Sequence, residues 1–386
     1  MDKYASETLR TRALYHALHD SNKDDIYYDY IRDKTPGNNP FESVKDITGP
    51  EIINKEITEE NQEIIVNDIT DKIKLKGIHK VDVMIGGPPC QTYSVIRRFD
   101  SKIEGRNWKD DPRNYLFKRY VYFLKKFNPD IFVFENVPGI KSAKGGEFLR
   151  NFVSMVNKAG YKVTEKILNA KDFMVLQQRK REIIIGWKKE YKLDYPEFEP
   201  VEHNYNVGAL LSDLPRLEPG HGEYLQEYKS GASDYLEKTG IRKNNDILIQ
   251  HTARYHSERD RGIYRYVINE WNTNHRHIKY GELPEEFQPY ENTGSFSDKF
   301  KVVASDLNYS QTITAHLSKD GHYYIHPDIE QARSITVREA ARLQSFPDNF
   351  KFEGPVSAQY RQIGNAVPPI MAKSIALKIK KMLDEI

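Results

Sequence analysis

The chain has 386 residues, enough for two or three domains, and its 58 lysines and arginines nearly cancel 56 acids to leave a formal charge of +2. That balance excludes the strongly basic composition of small nucleic-acid-binding domains, so any DNA-binding face must be local. A single cysteine excludes an intramolecular disulfide framework and a cysteine-rich zinc site. Neither a signal peptide nor an apolar run long enough for a bilayer stands out, which reads as a cytoplasmic protein with no membrane partner.

From Lys3 to His19 the apolar spacing predicts a helix, broken by Asp20 to Asn22. Asp24 to Gln62 is irregular, with Pro36, Gly37, Asn38, Asn39 and Pro40 marking a loop, and reads as a variable surface insert. Short Val- and Ile-rich runs at Glu63 to Val66, Val81 to Ile85, Asp130 to Phe134, Tyr161 to Leu168 and Glu182 to Trp187 read as strands covered on both faces. Helical stretches at Leu116 to Phe127 and Glu147 to Lys158 separate several of them, an alternation that predicts a parallel α/β sheet. Lys188 to Leu307 is rich in Tyr, His, Arg and Glu with weak strand-helix alternation, and is expected to form a smaller domain. Regular patterning resumes near Thr336, where VREAARLQSF and AKSIALKIKKML read as helices.

Three motifs carry chemistry. GGPPCQTYS, Gly86 to Ser94, follows the apolar run VDVMI, and its glycines and prolines would end a strand abruptly and hold Cys90 at a sheet edge. A lone cysteine is usually a small buried hydrophobe, but the rigid turn favours a nucleophile. FENVPGI, Phe134 to Ile140, follows DIFVF; Glu135 reads as a helix cap or as a proton donor whose pKa burial would raise. In QQRKREIIIGW, Arg179 and Arg181 alternate on one face of a starting strand, either solvated or paired, or stabilising a thiolate and bonding a carbonyl or phosphate.

Together with VREAARLQSFPDNF and YRQIGNAVPP, these motifs in this order resemble the DNA cytosine-carbon-5 methyltransferases of bacteria, from Asp2 to the last helix. The resemblance implies an α/β fold: a Rossmann-like S-adenosylmethionine-dependent methyltransferase sheet with its first strands missing, plus a smaller target-recognition domain. It divides the chain into a catalytic domain at 1–187, a target-recognition domain at 188–307, and a return segment with the closing helices at 308–386. It implies that Cys90 attacks carbon 6 of a flipped-out cytosine, that Glu135 bonds ring nitrogen 3 and the exocyclic amine, that Arg181 holds the carbonyl oxygen, and that Arg179 lies near the thiolate. Asp68, Ile69, Pro89, Leu116, Asn365 and Val367 match positions that contact S-adenosylmethionine. Gln91, Ser94, Arg97 and Arg98, with the basic loop that follows, match a segment that closes on DNA. The implied partners are double-stranded DNA and a cognate restriction endonuclease.

The glycine-rich FxGxG turn and acidic strand end with which family members begin are not found, and Met1 to Ala5 looks like the segment just after that acid. A second short polypeptide, a truncated product or a misplaced start would each account for this. Three rival readings remain: a DNA-binding remnant without activity, disfavoured by the intact Cys90, Glu135, Arg179 and Arg181; a tRNA-directed relative, disfavoured because a second cysteine is lacking; and a zinc deaminase, disfavoured because paired cysteines are lacking. The pairs His275 with His277 and His322 with His326 have metal-like spacing but no nearby carboxylate in sequence, and are expected at the surface or in the recognition domain rather than on a metal.

Overall fold

A computed structural model describes residues 2–32, 52–88, 116–288 and 297–386. The sheet has four strands, β1 (Val83–Gly86), β2 (Ile131–Asn136), β3 (Tyr161–Asn169) and β4 (Lys180–Lys188), in the order β1-β2-β4-β3. β1 runs parallel to β2, but β4 is antiparallel to both β2 and β3, so the sheet is mixed rather than parallel as its alternation predicts. The physical reason is the connection: β3 and β4 are joined by a short stretch that reverses the chain, whereas a parallel pair needs a crossover of a dozen residues or more.

Each sheet face is covered. On one side, Phe132, Phe134 and Ile184 pack against Tyr120, Val121 and Leu124 of α4 (Phe117–Phe127) and Phe148, Phe152 and Val156 of α5 (Glu147–Lys158). On the other, Ile131, Val133, Ile183 and Ile185 meet Met371, Ile375, Ile379 and Met382 of α10 (Pro369–Asp384). Each such side chain contributes about 1.5–3 kcal/mol when fully buried, so this two-sided packing holds the sheet rigid.

Two expectations fail near the start. α1 (Lys3–Asp20) forms as its spacing predicts, but Asp24 to Arg32, read as part of an irregular insert, is a second helix, α2. It buries Tyr27, Tyr28 and Ile31, and the Tyr27 hydroxyl donates to the Asn349 carbonyl at 2.7 Å. The α1–α2 pair therefore docks on the C-terminal third of the chain. Glu63 to Val66, expected as a strand, belongs to α3 (Gln62–Leu75), whose Ile65, Val66 and Ile69 pack on Phe123 of α4.

Among its described residues, the region from 188 to 307 holds the two-residue strands β5 (Leu225–Gln226) and β6 (Leu248–Ile249), short 3-10 turns, α6 (Asp234–Thr239) and the 17-residue α7 (Glu258–Asn274), a helix that the weak alternation does not predict. α8 (Val337–Leu343) and α9 (Val356–Asn365) complete the chain between this region and α10. One apolar cluster joins Val207, Leu210, Tyr235 and Leu236 to Ile335, Val337, Leu343 and Ile363, so residues 188–307 share a core with the return segment. No helix among the described residues is long and apolar enough to cross a membrane.

Candidate active site

Strand direction assembles the site. β1 and β2 are parallel, with Gly86 opposite Phe134, so Gly87 and Glu135 lie at the same sheet edge. β4 is antiparallel and begins at that edge, which brings Arg181 to Glu135: Arg181 Nε lies 2.9 Å from Glu135 Oε1. Burial pushes the Glu135 carboxyl above the ordinary carboxylate pKa, against the opposing pull of Arg181 and Arg179. The result is a half-hidden carboxyl that holds a proton more readily than a free glutamate.

The turn after β1 is fitted to this carboxyl. A Cβ on Gly87 would sit 2.8 Å from Glu135 Oε2, so glycine leaves the room that Glu135 occupies. Asn136 reaches the Pro88 carbonyl at 3.5 Å and accepts from the Val137 backbone at 2.9 Å, tying the GGPP turn to the end of β2. Asn136 was not singled out in the sequence; a polar residue directly after the carboxylate, in an otherwise apolar strand, was its only signal.

Arg179 takes a different position from its neighbour. It is fully buried and donates to the carbonyls of Ile313 at 2.6 Å, Gly364 at 3.0 Å and Ala366 at 2.7 Å. It therefore pins the GNAV segment after α9 to the strand carrying Arg181. Gly364 permits the contact, since a Cβ there would fall 2.2 Å from the backbone of Thr314 and Ala315. Gln177 adds a second tie, donating to the Leu343 carbonyl and accepting from the Ile313 backbone N–H. Behind the pair, Glu182 is fully buried with Lys141 Nζ 3.1 Å away, linking β4 to the turn Pro138–Lys141.

A groove of about 510 Å³ opens beside Glu135. Its walls are Val83, Ile85, Gly86 and Gly87 on one side, Val133 and Ile183 on the sheet floor, and Val367 with Ile375, Ala376 and Ile379 opposite. A larger, more open depression of about 930 Å³ between α5 and β3 contains none of the site residues. Of the expected cofactor positions, Val367 lines the groove, Asn365 is exposed at the end of α9, and Leu116 caps α4. Asp68 and Ile69 follow no strand: they lie on α3, where Asp68 pairs with Lys55 at 2.5 Å and Ile69 packs toward α4. Cys90, Pro89, Gln91, Ser94, Arg97 and Arg98 fall outside the described residues.

Of the histidine pairs, His275 with His277 is exposed within 188–307 as expected, whereas His322 with His326 departs from expectation. His322 and His326 are buried, and each has a carboxylate nearby, Asp320 at 3.9 Å and Glu339 at 3.5 Å. Their rings are used internally: Tyr264 bonds His322 at 2.7 Å. Among the described residues no group of three or more His, Cys, Asp or Glu side chains is arranged to hold a metal.

The family model for C-5 cytosine-specific DNA methylases matches residues 51–381. A type II methyltransferase of Bacillus paralicheniformis, M.Bpa9945I, is 38% identical over 415 aligned positions, covering 99% of this chain and 92% of that protein. The chain belongs to the C-5 cytosine-specific DNA methylases. The methylase is also 36% identical to the type II methyltransferase M1.HphI of Haemophilus parahaemolyticus, over 78% of this chain and 69% of that one. A crystal structure described as a DNA modification methyltransferase encoded within an E. coli prophage shares the methylase's fold, with a TM-score of 0.59 and 24% identity over 85% of this chain and 86% of that one.

Proposed function

We propose that this DNA (cytosine-5) methyltransferase acts on a flipped-out cytosine through a covalent adduct with Cys90, and that Glu135 and Arg181 hold the ring while it reacts. The observation that supports this most directly is the 2.9 Å Glu135–Arg181 pair beside Gly87, three residues before Cys90 in the chain. The Cys90 thiolate forms a bond to carbon 6, and the electron pair displaced toward ring nitrogen 3 is met by the Glu135 proton. Arg181, held in plane by Glu135, donates to the cytosine carbonyl oxygen. After methyl transfer to carbon 5, loss of the carbon 5 proton drives the electrons back, breaks the carbon–sulfur bond and frees Cys90. None of these atoms is reachable within a stacked pair, so the base must leave the duplex.

S-adenosylmethionine, when bound, supplies the electrophilic methyl group. The groove beside Glu135 fits part of this molecule: its walls of Val83, Val133, Ile183 and Val367 are apolar and suit a flat heteroaromatic ring, and its volume lies in the usual range for a small-molecule site. Glu135 and Lys380 also line the groove and offer a carboxylate and an ammonium to the molecule's charged ends. β1 is an edge strand of the described sheet, with Ile85 76% exposed, and we include in the proposal that a strand bearing the FxGxG turn pairs there. Within the same reading, residues 188–307 select the DNA sequence, and the methylase acts in a restriction-modification system beside a cognate endonuclease.

The deciding experiment replaces Cys90 with alanine and follows labelled methyl transfer to duplex DNA. Loss of turnover with DNA binding retained is expected. Appreciable turnover by Cys90→Ala would remove the covalent route.

A further inference from the structure

The stretch HTARYHS, His251 to Ser257, contains a tyrosine whose surroundings differ sharply from its exposure. Tyr255 is 80% exposed, the most open aromatic among the described buried-or-exposed large side chains, while the residues on both sides of it are locked. Before it, the Ala253 backbone N–H donates to the His221 carbonyl at 2.9 Å, and the Arg254 carbonyl accepts from the Gly220 backbone at 2.9 Å. The Arg254 guanidinium lies 4.2 Å from the centre of the Tyr360 ring and donates to the Lys319 carbonyl at 3.3 Å. After it, His256 Nε2 accepts from the Ser334 backbone N–H at 3.2 Å, and Ser257 caps α7 by accepting from Asp260. Among the described residues, the Tyr255 side chain itself makes no hydrogen bond or ring contact.

A single exposed apolar residue on a surface is ordinary. An aromatic ring held out on a backbone fastened at both neighbours is different, because it meets a ligand without losing loop entropy. Its surroundings indicate which ligand. Lys319 and Arg259 are exposed, and neither they nor Arg254 form an ion pair among the described residues; Arg254, which bonds the Lys319 carbonyl, precedes the tyrosine in the chain and Arg259 follows it in the first turn of α7, so cations open to phosphate flank it along the chain. Its position indicates where. Arg254 rests on Tyr360, four residues before Gly364 on α9, and an α-helix rises ~1.5 Å per residue, so this contact lies about 6 Å along α9 from the Gly364 carbonyl that receives Arg179. That separation is less than the ~12 Å width of a DNA major groove.

We propose that Tyr255 is a specificity-determining residue of the methylase, its ring set against the bases that border the target cytosine in duplex DNA. The proposal rests on the reading of this chain as an active cytosine methyltransferase. Arg254 and His256 fix where the ring stands, and Lys319 and Arg259 hold the neighbouring phosphates without reading sequence.

The test first maps the methylated site of the wild-type enzyme, then measures kcat/KM for wild type, Tyr255→Ala, Tyr255→Phe and Lys319→Ala on duplexes in which each flanking base pair is changed in turn. For Tyr255→Ala, kcat/KM on the cognate duplex should fall about tenfold to a hundredfold, the range of a lost base contact, and discrimination should relax at one or two neighbouring positions. Tyr255→Phe should keep most of the discrimination, and Lys319→Ala should weaken all duplexes evenly with a smaller salt dependence. Discrimination by Tyr255→Ala that stays within twofold of wild type at every position would overturn the proposal. A wild-type enzyme that methylates no cytosine in any duplex is a separate result: it refutes the proposed function, and the role of Tyr255 falls with it.

Discussion

Glu135 and Arg181 divide the work that a carboxylate alone would do poorly. Desolvation pushes the Glu135 pKa up while Arg181 at 2.9 Å and Arg179 pull it down, and the balance leaves a carboxyl that is both oriented and more readily protonated. Replacing Glu135 with glutamine keeps the shape and removes the transferable proton, so single-turnover rates should drop about 100-fold or more while the Kd for DNA changes little. Stability should not fall: an acid whose folded pKa is raised costs stability at every pH above its unfolded pKa, so the glutamine variant is expected to melt no lower than wild type at pH 8. An unchanged rate with weakened binding would make Glu135 a positioning residue only. Arg179 shows the limit of reading roles from a motif. Its alternation with Arg181 puts both on one face, yet three backbone carbonyls hold the Arg179 guanidinium in the interior.

Elements, rather than single side chains, decide whether the GNAV segment reaches the site. α9 packs so closely on the turn at 314–315 that only a residue without a Cβ fits at 364. Gly364→Ala must push two backbone segments apart, and we expect a loss of about 3 kcal/mol or more, with a lower melting temperature and weaker S-adenosylmethionine binding because Val367 moves with the helix end. Thermal unfolding and calorimetric titration check the two effects, and a variant with wild-type melting would show that α9 can shift freely. The failed strand at Glu63 to Val66 is instructive at this scale. Three apolar residues in a row suit either a strand or a helix; the wider spacing of Ile65, Ile69 and Ile73 supports the helix, and contact with Phe123 makes it the face that is buried. α2 was hidden by the same ambiguity, its Tyr27, Tyr28 and Ile31 being few and set among acids.

Across the whole molecule, buried polar groups add to the shared apolar clusters that tie residues 188–307 to the return segment. Arg342 on α8 bonds Asp348 at 2.6 Å and Asp213 at 3.0 Å, all three fully or almost fully buried, and Arg333 pairs with Glu339 at 2.7 Å. Four histidines, His251, His256, His322 and His326, share this interior, and two of them are shifted far. Burial, together with neighbouring His322, lowers His256 to about 4; burial, together with Arg333, lowers His326 to about 3. Both stay neutral in the fold but protonate near 6.5 when unfolded, so the stability they favour is complete above pH 6.5 and is lost as pH falls toward their folded values. Between pH 7.5 and 5 each should remove roughly 2 kcal/mol from the unfolding free energy measured in urea, and His256→Gln should flatten that dependence. A stability that stays level from pH 7.5 to 5 would mean that these rings are not held neutral.

Sequence by itself determined the family, the helices α1, α4, α5, α8 and α10, four of the five strands it proposed, and the three motifs that meet at the sheet edge. These are local properties: apolar period, turn chemistry at GGPP, and a carboxylate or arginine at the end of an apolar run. Only the tertiary structure decided how the motifs meet. In a wholly parallel sheet, Arg181 at the start of β4 would lie at the opposite edge from Glu135, which closes β2. The reversal between β3 and β4 brings the two together, and a strand's direction depends on how its connection packs, which no residue in the strand encodes. The same holds for Arg179 and Asn136, whose partners at Gly364 and Pro88 lie 185 and 48 positions away in the chain and become neighbours only when the sheet, α9 and the GGPP turn are in place.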